Sequence, residues 1–131
     1  MEPRSELLAR RPDFRVTYRL FTAEEGGRKT SAYQGIRWDF RYEDKAISTG
    51  TWMIHPVFLD SKGEVLAFEP LPMLGQADMF LFNPDSRSFH QQHIWPGVRG
   101  YFVEGPKRVG VCEVVEVLGL RRKPAAEASS C

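Results

Sequence analysis

The side chains of this 131-residue sequence that could do chemistry are three histidines, 18 basic groups and a large aromatic set of nine Phe, four Tyr and three Trp. His90 and His93 stand as His-x-x-His, with His55 far off in sequence. A metal ion would need further ligands from Cys or paired carboxylates, and none is suitably spaced. Residues 88–97 show no helical period that would align the two imidazoles, and neither has a nucleophile and an orienting acid at a matching spacing. The chain therefore reads as non-enzymatic, with no metal or cofactor expected. Cys112, inside an apolar run, and Cys131, the last residue, have no ligand spacing and read as free thiols.

The basic groups carry more information. Against 17 acidic residues they leave a net charge of +1, which removes any global electrostatic case for nucleic acid or membrane binding. Their distribution is uneven. Residues 1–45 hold 10 basic and 8 acidic groups, 46–95 hold 2 and 5, and 96–131 hold 6 and 4. If a fold brings the two basic ends together, Arg28, Lys29, Arg37, Lys107 and Arg108 could form one patch suited to phosphate, joined by Arg121, Arg122 and Lys123. Most of the aromatic residues belong in a core. Trp95 and Phe89, on an irregular segment before Gly97, are the expected exposed anchors for a partner protein.

The elements that must position these groups are strands. Residues 14–20 and 36–42 alternate apolar and polar side chains, the period-two mark of a half-buried strand, with their arginines facing away from the core. Residues 57–59 and 65–68 flank Asp60-Ser61-Lys62-Gly63 and predict a hairpin. Residues 79–82 predict a buried strand ending at Asn83-Pro84-Asp85, and 101–103 with 109–118 predict a final hairpin around Glu104 to Arg108. No amphipathic helix stands out beyond a short turn before Pro12. The expected division is a lead-in over 1–13, one β-barrel domain over 14–120 and a flexible tail over 121–131. The longest apolar runs are far short of a membrane span, and the N-terminus has no secretory apolar core, so a cytoplasmic protein with no membrane contact is expected.

Tyr18-Arg19-Leu20-Phe21-Thr22-Ala23-Glu24-Glu25-Gly26-Gly27-Arg28-Lys29-Thr30, followed by Gly35-Ile36-Arg37 and Phe40, resembles the start of the C-terminal β-barrel domain (domain 3) of bacterial elongation factor Tu. Gly97-Val98-Arg99, Phe102-Val103, Glu104-Gly105, Val109-Gly110 and Val114-Val115 resemble its closing hairpin, while residues 43–96 look expanded. The resemblance implies an all-β fold, a small antiparallel Greek-key β-barrel. It also implies that Arg28, Glu104 and Gly105 lie where the family approaches the tRNA backbone. Lys29 stands in place of the family's usual His, Asp39 in place of a Gln, and Pro106 in place of a Gly whose amide it removes.

No Gly-x-x-x-x-Gly-Lys-Ser/Thr loop occurs and 131 residues leave no room for a GTPase domain, so no nucleotide binding is expected. The expected function is a stand-alone, non-catalytic binding module contacting a protein partner or tRNA-like RNA, with a translation setting implied by the resemblance. The alternative is an accessory or immunity-type protein that masks a basic target with Asp60, Glu64, Glu69, Asp78 and Asp85.

Overall fold

A computed structural model describes residues 11–121. Six strands, β1 (Phe14–Leu20), β2 (Asp39–Tyr42), β3 (Ile54–Leu59), β4 (Leu74–Leu81), β5 (Arg99–Glu104) and β6 (Lys107–Val117), form one sheet in the order β2-β5-β6-β1-β4-β3. Every pairing is antiparallel. The sheet curls until its two edges meet at a single bridge, where Phe40 and Trp52 each donate their N–H to the other's carbonyl at 2.9 and 2.8 Å. Counted through that bridge, the first four strands lie in the order 1-4-3-2, a Greek key. The chain is thus an all-β, curled half-barrel with a narrow seam between β2 and β3.

Alternation drives the curl. In β1, Phe14, Val16, Tyr18 and Leu20 point inward and Thr17 and Arg19 outward. The centre is filled by four rings from four parts of the chain, Tyr18, Trp38, Phe58 and Phe102, whose centroids lie 5.3–5.9 Å apart in mostly edge-to-face or stacked pairs. Phe40 needs room beside them, and Gly100 supplies it, since a Cβ there would sit 2.4 Å from the Phe40 ring.

Three expectations are corrected. The 36–42 strand begins only at Asp39, because Gly35 at φ 96° turns the chain and Ile36 bonds back to Tyr33. The expected hairpin partner at 65–68 makes one bridge, Leu59 to Val65, and then leaves the sheet. Asp60 does cap its turn, accepting from the Lys62 and Glu64 amides. The Leu66 N–H still donates to the Phe58 carbonyl at 2.9 Å, and buried Gln34 ties the two together: its Nε2 donates to the Phe58 and Leu66 carbonyls and its Oε1 accepts from the Phe58 N–H. The neighbour of β3 in the sheet is β4, which starts at Leu74, five residues earlier than expected.

The third correction is a helix, α1 (Arg87–His93), in the stretch that shows no helical period. Its one fully buried residue is His90, Phe89 packs against the core, and polar contacts fix its ends. Asn83 caps the preceding turn at Pro84–Ser86 by accepting from the Asp85 amide. Arg87 donates to Asp13 and to the Gly119 carbonyl, and Gln91 donates to the Leu120 carbonyl. The expected turn before Pro12 and the expected tail fall almost wholly outside the described residues.

Asp13 is the point where these pieces join. It is 2% exposed, and its carboxylate accepts from the Leu81 amide at 2.8 Å and from the Arg87 guanidinium at 2.9 Å. Its backbone bonds to Met79, Leu118 and Leu120. Replacing it with Ala leaves a buried amide and a half-buried cation without their acceptor. Asp13→Ala is expected to lower the unfolding free energy by roughly 2–4 kcal/mol. Asp13→Asn, which keeps an acceptor, is expected to lose less, and urea denaturation at neutral pH ranks the two.

Candidate functional site

The fold does bring the two basic ends together, and it neutralises part of what they bring. Arg28 leaves the loop after β1, which doubles back at Gly27, where a Cβ would sit 2.2 Å from the Phe21 carbonyl. Its Nη1 lies 2.5 Å from Glu104 Oε1, at the end of β5. Three more of its N–H groups go to the Thr30 and Ser31 carbonyls and to the Thr30 hydroxyl. Trp38 Nε1 donates to the same Glu104 oxygen at 2.9 Å. That hydrogen bond, with the Arg28 charge, holds the Glu104 carboxyl below its ordinary range. Arg28 and Glu104 therefore serve each other. Gly105, at φ 60°, makes the β5–β6 turn beside them, with Lys107 paired opposite Glu104 in the ladder.

Arg37 and Arg108 stay outside this network, and Lys107 joins it only through its charge on Glu104. Arg108 lies over the Tyr101 ring at 4.9 Å, and Arg41 faces Tyr101 across β2 and β5. Lys29, Arg37, Arg41, Lys107 and Arg108 have no ion pair among the described residues, and the Nε of Arg41 is buried without a partner. Neither Arg41 nor Tyr101 was singled out from the sequence, although the spacing of Arg37, Asp39 and Arg41 already sets all three on one face. Trp95 is 52% exposed but precedes Arg99, at the opposite end of β5 from Glu104. Phe89, expected to be exposed, instead stacks on Trp52 at 5.0 Å and packs against the core.

Beside Arg28 the surface is concave. A groove of about 270 Å³ opens between the loop after β1 and the approach to β4. Trp38, Leu71 and Val109 give it an apolar lining, and Met73, 47% exposed, stands in its wall. Arg28, Lys29 and the hydroxyls of Thr22, Thr30 and Ser31 supply its polar groups, and no carboxylate lines it. Ala32 and Leu71 of the lining are bonded through their backbones, and one residue beyond them Tyr33 bridges to Pro70. There Phe68, 74% exposed, stacks on Tyr33 at 4.8 Å.

The histidines do other work. His90 is fully buried under α1, its Nδ1 2.7 Å from the Tyr42 hydroxyl, its ring against Trp52 at 4.6 Å, and its Nε2 without a partner. Burial, helped slightly by His93, pulls its pKa down to about 4. His55 Nε2 lies 3.1 Å from Asp39, and burial lowers its pKa too. The Cys112 thiol is buried and its pKa pushed up, which leaves it unreactive. Cys131 and the side chains of Arg121, Arg122 and Lys123 lie outside the described residues. The acidic middle does not form one free face: Asp78 binds Arg15 at 2.7 Å and Asp60 caps its own turn.

No protein-family model matches the chain, and no curated protein is significantly similar to it.

The His90 environment sets a pH dependence. An imidazole that binds its proton near pH 6.5 when unfolded but only near pH 4 when folded adds stability above pH 6.5 and loses it as the pH falls toward 4. Over that window the native protein is expected to lose about 2–3 kcal/mol more than His90→Gln, measured by urea unfolding at pH 7 and pH 4.

Proposed function

We propose that the chain is a non-catalytic binding module, of the kind that the elongation factor Tu barrel exemplifies, whose partner is a protein seated on the groove beside Arg28 and Lys29. The observation that carries this reading is a groove with a buried apolar floor, Trp38, Leu71 and Val109, and an exposed apolar side chain, Met73, in its wall. Contiguous apolar surface flanked by polar groups on a small domain marks contact with another protein more readily than isolated surface leucines do. Phe68, 74% exposed and stacked on Tyr33, adds exposed apolar surface one residue beyond the lining. The pairing of Arg28 with Glu104 argues the same way, because it takes the residue that the resemblance assigns to a phosphate and fixes it within the protein. A partner in the translation machinery is supported by the resemblance of the two chain ends alone.

RNA is the second reading, and a separate observation favours it. Arg108 over Tyr101, with unpaired Arg41 opposite, puts cations around an aromatic ring on the outer face of the sheet.

A photo-cross-linking residue placed at Met73 is expected to trap a discrete protein product in cells, absent when the same residue stands at Glu116. A Met73 variant with no product of its own overturns the protein reading. Filter retention of tRNA, falling with salt and weakened severalfold by Arg41→Ala with Arg108→Ala, would replace it with the RNA reading.

A further inference from the structure

Resting on that reading, we propose that the groove selects an acidic side chain, Asp or Glu, carried next to an apolar residue of the partner chain. Charge complementarity points to the acid. Two cations and three hydroxyl groups face the groove, and no carboxylate does. Arg28 is already matched by Glu104, whereas Lys29 is exposed and has no ion pair among the described residues, so one positive charge is left over at the rim. Arg28 also keeps a donor. Of the five N–H groups of a guanidinium, four hydrogen bonds are accounted for, to Glu104, Thr30 twice and Ser31, which leaves one on a group held in place by the other four.

Size and lining decide what carries the acid. This groove, at about 270 Å³, suits one or two side chains. Trp38, Leu71 and Val109 form a floor that the protein already covers, but Met73 is 47% exposed, and an apolar residue beside the acid covers it where a bare inorganic anion would not. Lys29 and Met73 are then the specificity-determining pair, one reading charge and the other accepting the apolar neighbour.

The test uses two capped dipeptides, N-acetyl-Leu-Glu-amide and N-acetyl-Leu-Gln-amide, titrated into the full chain and followed through backbone amide signals by NMR. The Glu peptide is expected to shift signals centred on Lys29, Thr30 and Met73. It should bind at least threefold more tightly than the Gln peptide at 20 mM salt, with the ratio falling toward one at 0.5 M salt. Lys29→Gln, an exposed change that leaves the fold intact, is expected to abolish the ratio while both peptides still bind. Equal binding of the two peptides, no shifts at 20 mM peptide, shifts centred elsewhere, or equal shifts with inorganic phosphate would each overturn the proposal. If any of these occurs while the Met73 cross-link persists, the protein partner stands and its acidic contact falls; loss of the cross-link as well removes both.

Discussion

The architecture hangs on one buried carboxylate. A curled sheet must fix where its first strand starts relative to the strand beside it and to the chain that returns at the end, and Asp13 does both. Burying a charge costs several kcal/mol unless it is paired and hydrogen-bonded, so Asp13 is tolerated only while Leu81 and Arg87 both donate to it. That condition makes the contact specific. A slip of β1 against β4 by one residue would strand the carboxylate and also turn Phe14, Val16 and Tyr18 outward. Through Arg87 the same group holds α1 in place, and α1 in turn covers Tyr42 and Trp52 with His90.

At the other end of β5 from that anchored end the sheet carries Glu104 and the groove beside Arg28. Glu104 is the counterpart there of Asp13, but it is exposed and shared between Trp38 and Arg28. The two carboxylates differ in consequence. The buried one is structural, because the carboxylate itself has no water to turn to and the Leu81 amide it accepts from is buried with it. The exposed one sets the shape of a surface, because it pins the loop that forms one wall of the groove, and its individual ion pair is worth little in water.

The strand with strict alternation, 14–20, was legible in the sequence because it buries one face, and the closing hairpin because it turns at Gly105, which adopts φ 60°. The meeting of Arg28 with the last hairpin was legible as a charge pattern, though its neutralisation by Glu104 was not. Other parts were hidden for a shared physical reason. Asp13, Gln34 and the helix at 87–93 act through hydrogen bonds from side chains to distant backbone or charged groups, with separations of 68 residues for Asp13 to Leu81 and 24 for Gln34 to Phe58. Such contacts leave no period in the sequence. The helix buries His90 rather than an apolar stripe, so the usual 3.6-residue signal is absent.

The Gln34 contact has an effect beyond closing the fold. Phe58 gives both its backbone N–H and its carbonyl to the Gln34 side chain, so these groups point away from β4, toward the rim of the sheet. Pro56, two residues earlier, points its nitrogen the same way and has no hydrogen to offer. Ile54 N–H is taken by the Trp52 carbonyl. Between residues 54 and 58 the rim of β3 therefore presents no free donor on which a strand from another copy could nucleate. The protein can leave apolar side chains such as Phe68 and Leu74 open to solvent with this route to polymerisation by strand addition shut.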